Sequence, residues 1–95
     1  MIEGKTTAGF KFSIADDALN DMELLDAFMA IDAGRVSGLQ AAIVRLLGED
    51  QKKALYDFLR DETTGRVNAY GERGVISAVT EILHIAGEQS KSVKN

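Results

Sequence analysis

Cysteine and proline are both absent from this chain of 95 residues. Without cysteine there is no disulfide framework and no thiolate metal centre, which suits a reducing cytoplasm. Without proline, the joints between elements rest on glycine and on helix caps. No stretch approaches the roughly 18 consecutive apolar residues of a membrane span. The opening Met-Ile-Glu-Gly-Lys also lacks the charged and then apolar order of a secretory leader. A soluble, unexported protein with no membrane partner is therefore expected. Basic charge is scarce in one region: residues 1–32 carry seven acids and two bases, net −5, whereas residues 33–95 carry eight acids and nine bases, net +1. Non-specific nucleic-acid affinity comes from clustered Lys and Arg, so DNA or RNA is disfavoured as the main ligand. There is no internal repeat and no low-complexity tract.

What is present is enough for one core, since a chain of this size buries roughly 60 to 70% of its unfolded surface without staples. A single domain is expected over residues 1–87, with a flexible polar tail over 88–95. The expected fold class is mainly α: a small domain of about four helices with a short N-terminal β-strand or hairpin. Thr6 to Ile14 alternates as a strand does, with Phe10, Phe12 and Ile14 on one face and Lys11 and Ser13 on the other. Its partner is left open among Met1 to Lys5, another subunit and a client protein. Asn20 with Glu23 reads as a capping box for a helix of about Asp21 to Asp32, which Ala33-Gly34 stops.

Ser37 with Gln40 marks a second helix of about Gly38 to Leu47, whose largely apolar surface makes it the central one, and Gly48 is placed to end it in left-handed geometry. Glu49 and Asp50 open a third helix to about Arg60, where their charge complements the dipole. Asp61 to Gly65 is turn chemistry, and a fourth helix is expected over about Val75 to Ala86.

Candidate chemistry is thin. Ser77, Glu81 and His84 are the residue types of a hydrolytic triad, but on one helix face they lack an oxyanion hole and a nucleophile elbow. Glu81, His84 and Glu88 at the same spacing make a weak, unselective metal site at best. The acids from Asp16 to Asp32 lack the residue order of a calcium loop, and Gly65-Arg66-Val67 with Gly71 and Gly74 match no phosphate-binding glycine pattern. No catalytic residue, no metal and no cofactor is therefore expected. The helix of residues 21–32 is different in kind. Met22, Leu24, Leu25, Phe28, Met29 and Ile31 cover about half of its circumference, more apolar surface than one neighbour covers. Six carboxylates lie between Gly9 and Asp32, and no basic residue occurs from Ser13 to Gly34. A strand feeding an acidic, broadly apolar helix reads as a surface that holds another protein.

Taken in order, Ala8-Gly9-Phe10-Lys11-Phe12, Leu19-Asn20-Asp21-Met22-Glu23-Leu24-Leu25, Leu46-Leu47-Gly48-Glu49-Asp50-Gln51, Leu59-Arg60-Asp61-Glu62 and Gly65-Arg66-Val67 resemble the tail assembly chaperones of long-tailed phages and prophages of Gram-positive bacteria. The resemblance runs from about Thr7 to Val67. It implies a factor of the host cytoplasm, absent from the mature virion, that coats the tape measure protein, recruits tail tube protein and associates with itself as a homo-oligomer. It also implies a longer product made by frameshifting, for which Val93-Lys94-Asn95 offers a compatible codon run. Phe10, Phe12, Leu25, Phe28 and Met29 are the expected protein-binding residues. The alternative is a small helical DNA-binding regulator built on the helix pair Ser37 to Arg60, whose Lys52, Lys53 and Arg60 are offset by Glu49, Asp50 and Asp57.

Overall fold

Of the segment Thr6 to Ile14 expected as a strand, only Lys11–Ile14 is one, because the residues before it make the turn that lets it pair within the chain. In the computed structural model, which describes residues 1–93, β1 (Ile2–Lys5) and β2 (Lys11–Ile14) form a two-stranded antiparallel hairpin in which Ile2 faces Ile14 and Gly4 faces Phe12. Thr6 fixes the turn between them: its N–H donates to the Phe10 carbonyl at 2.9 Å, and its hydroxyl accepts the Phe10 N–H at 3.0 Å. Strand periodicity then sends Ile2, Phe10, Phe12 and Ile14 to one face, and all four are buried. Three helices follow the hairpin, α1 (Met22–Asp32), α2 (Leu39–Leu59) and α3 (Val75–Val93), and the last two cover it. β2 lies against α2 and β1 against α3, while α1 packs on α2. At the centre Leu24, Ile43, Leu55, Leu59, Val79 and Ile82 are fully buried; each such side chain contributes about 1.5–3 kcal/mol by leaving water.

Two glycines make this packing possible. The Phe12 ring lies across Gly4, where a methyl group would come within 2.8 Å of the ring and 3.1 Å of the Ile85 side chain on α3. Gly48 has φ 83° and ψ 164°, backbone that is essentially restricted to glycine. That conformation corrects two expectations. Gly48 is not in left-handed helical geometry, but it does interrupt the helix: residues 39–47 and 49–59 are two helical stretches that meet at a kink, and counting them together as α2 gives three helices among the described residues where about four are expected. Gln51, one turn past the bend, holds it against the hairpin. Its Nε2 donates to the Leu47 carbonyl at 2.8 Å and to the Ser13 carbonyl at 2.6 Å, and its Oε1 accepts the Ser13 N–H at 2.8 Å. On β1, Gln89 Nε2 donates to the Glu3 carbonyl at 2.7 Å.

The remaining boundaries follow local chemistry. Asp21, not Asn20, caps α1, its carboxylate accepting the Leu24 N–H at 3.1 Å. Gly34 and Arg35 donate back to the Ile31 and Ala30 carbonyls, the bond pattern that ends many helices at glycine. Gly38 caps α2 with no side-chain bond, so the Ser37–Gln40 box does not form. The Asp61 carboxylate accepts the Thr63 and Thr64 N–H groups and shapes the expected turn. The first N–H groups of α3 are taken by the Asn68 and Ala69 carbonyls. α3 continues to Val93 instead of ending near Ala86, so most of the expected tail is helical; Lys94 and Asn95 lie outside the described residues. Among the described residues no helix is long and apolar enough to cross a membrane.

Gly48→Ala is expected to lower stability by about 1–3 kcal/mol through backbone strain, and Gly4→Val by a similar amount, about 1–3 kcal/mol, through overpacking against Phe12 and Ile85. Urea unfolding of the two variants measures both. Losses below about 0.5 kcal/mol, the range of neutral surface changes, would contradict the packing described.

Candidate protein-binding face

The expected contact residues separate into two groups. Phe10 and Phe28 are each 7% exposed and Phe12 is 3% exposed, so these three belong to the core and are not a surface for a partner. The reason is geometric: the hairpin closes on itself, and its apolar face has α2 and α3 to lie on. Leu25 is half-buried, whereas Met29 is 56% exposed. Met22, on the same side of α1, is 62% exposed. The helix thus turns Leu24 and Phe28 inward and leaves Met22, Leu25 and Met29, spaced three and four apart, as a stripe on the outside. Val36, beyond the helix end, is also exposed. Met22 was legible as apolar but not as exposed, because its outward direction depends on which arc of the wide stripe meets α2.

Acids flank this stripe. Glu23 and Asp26 lie to one side of it on the helical wheel and Asp32 to the other, all exposed. Asp26 and Asp32 make no ion pair or hydrogen bond among the described residues. At the start of the helix Arg45 of α2 reaches across, its Nε 2.9 Å from Asp21 Oδ2 and its Nη2 3.1 Å from Glu23 Oε1. The Arg45 hydrogen bond, helped by the Leu24 N–H, holds the Asp21 carboxyl below its ordinary value of 3.8, and Asp21, with Glu23, in turn raises Arg45. Arg45 therefore anchors α1 to α2 at the N-terminal end of the stripe. A shallow depression lined by Ala18, Asn20, Met22, Arg45 and Leu46 continues the surface there.

Other candidates are engaged elsewhere. The Ser77 hydroxyl donates to the Gly71 carbonyl at 2.8 Å, and Glu81 Oε2 accepts both the N–H and the hydroxyl of Thr7 at 2.7 Å. His84 is exposed, and no hydrogen bond joins it to Ser77 or Glu81 among the described residues. No group of three or more His, Cys, Asp and Glu able to hold a metal ion is found among the described residues. In the Ser37 to Arg60 segment the two helical stretches meet at Gly48 alone, with no longer turn between them. Several of its cations are already used within the chain: Lys52 lies over the Tyr56 ring, and Arg60 bonds Asp57 and the Gly65 carbonyl. Arg73 stacks on Phe58 and donates to the Phe58 carbonyl. No family model matches the chain, and neither a curated protein nor a solved structure is significantly similar to it.

Because its folded value is lowered, Asp21 contributes stability that is fully present above 3.8 and is lost as pH falls through the lowered value. Asp21→Asn retains a capping oxygen but removes the charge. It is expected to flatten the fall in melting temperature between about pH 5 and about pH 2, an effect that added salt shrinks because the pair is exposed. Parallel melting curves for the two proteins across that range would contradict the Arg45 pairing.

Proposed function

We propose that this chain is a protein-holding factor of phage tail assembly, a binding module and not a catalyst, which keeps the tape measure protein soluble and brings tail tube subunits to it. One observation carries the reading: α1 leaves Met22 and Met29 exposed, with the half-buried Leu25 between them, although the core beneath it is already filled by Leu24 and Phe28. Met side chains adapt to varied apolar partners, which suits a long client with many non-identical segments. Surrounding carboxylates keep the free form soluble. The ordered resemblance from about Thr7 to Val67 supplies the role in tail assembly, including action in the host cytoplasm and absence from the mature virion.

Each contact of this size is weak, and the coat becomes tight through many copies on one client. Self-association of the copies belongs to the same reading; Gln51 on Ser13 and Gln89 on Glu3 occupy part of each outer strand edge, and the acidic borders of α1 disfavour its meeting a second α1.

Co-expression of the full chain with the tape measure protein tests the proposal. The wild-type chain is expected to keep the client in the soluble fraction, whereas Met22→Glu with Met29→Glu loses it while unfolding stability stays within about 0.5 kcal/mol, as for other surface changes. A double variant that still holds the client would overturn the reading.

A further inference from the structure

Resting on the reading of α1 as a client-holding face, we infer that its occupant is a basic amphipathic helix: a segment with an apolar row at helical spacing bordered by Lys or Arg. Three observations lead there. The stripe of Met22, Leu25 and Met29 follows helical spacing along one side of α1, which is the kind of ridge a partner helix packs against. α1 has 11 residues, a length of about 16 Å that matches about three turns of a partner. Finally, the borders carry one sign of charge. Asp26 and Glu23 stand on one side and Asp32 on the other, and among the described residues only Glu23 of these has a cation, Arg45, which it shares with Asp21.

Charge decides among occupants. A second copy laid stripe to stripe would set the acids of one α1 beside those of the other, and like charges brought together at an interface disfavour that pairing. A nucleic acid or an anionic lipid surface meets the same repulsion. A helix whose apolar row is bordered by Lys or Arg places its cations over Asp26 and Asp32 while its Leu or Ile side chains cover the methionines. The apolar contact supplies most of the affinity, and the acids select the partner's sign and orientation.

The test uses two synthetic helical peptides of about 18 residues with identical leucine rows, one bordered by Lys and the other by Glu. Each is titrated into the full chain and followed by backbone and methionine-methyl NMR. The Lys-bordered peptide is expected to shift Met22, Leu25 and Met29 and to bind at least about ten-fold more tightly than its Glu-bordered twin. Its affinity is expected to fall with added salt, and Asp26→Lys with Asp32→Lys is expected to reverse the preference between the twins. Equal binding of the two peptides, binding of neither, or shifts confined to another face would overturn the inference, as would a concentration-dependent dimer that Met29→Glu abolishes. If the peptides fail while retention of the tape measure protein still requires Met22 and Met29, the basic-helix inference falls and the holding role stands. If the Lys-bordered peptide binds as described while no client is held, the inference stands and the assembly role falls.

Discussion

The fold depends on the closure of the N-terminal hairpin over the helices. A two-stranded ribbon is marginal alone, so Ile2, Phe10, Phe12 and Ile14 must lie on something apolar, and α2 and α3 provide it. Gly4 makes room for the Phe12 ring between β1 and α3. Gln51 then joins two irregular places at once, the bend at Gly48 and the backbone of Ser13 on the outer strand. The bend is thus tied to the strand it lies beside. With the hairpin fastened in this way the core is complete, and what remains uncovered on α1 is surplus to folding.

Local signals in the sequence were good guides to element type and to stops. Alternation at Phe10, Phe12 and Ile14, the stop at Ala33-Gly34, the interruption at Gly48 and the turn at Asp61 to Gly65 all depend on neighbours within a few residues, and the structure has them. Choices that depend on tertiary geometry were not legible. Asn20 and Asp21 are both good caps, and the reach of Arg45 from α2 favours the second. The strand had three possible partners, and only the fold selects Ile2–Lys5. The apolar half-circumference of α1 does not reveal which arc faces inward, and Phe28 and Met29, neighbours in the sequence, point to opposite environments. α3 extends into residues whose polar character reads as a tail.

The same geometry narrows the functional surface. Of the five residues expected to touch a partner, three hold the core together, and in the proposed reading recognition falls to Met22, Leu25 and Met29. That smaller surface is better defined, being one helix face with acids on both borders. It is too small to bind tightly alone, which fits a factor that covers a long client by repetition. The proposal draws on two kinds of observation: the order of short motifs, which carries the resemblance, and the exposed stripe that the packing leaves on α1.

Methionine oxidation tests the central claim most directly, because the three methionines of the chain are all exposed and only two of them lie on α1. Peroxide converts exposed Met to the sulfoxide, and peptide mapping reads each position. In the free chain Met1, Met22 and Met29 are expected to oxidise at comparable rates, and in complex with the tape measure protein Met22 and Met29 are expected to be protected several-fold while Met1 is not. Unchanged rates at Met22 and Met29 in a complex that has demonstrably formed would contradict the assignment of α1 as the binding face.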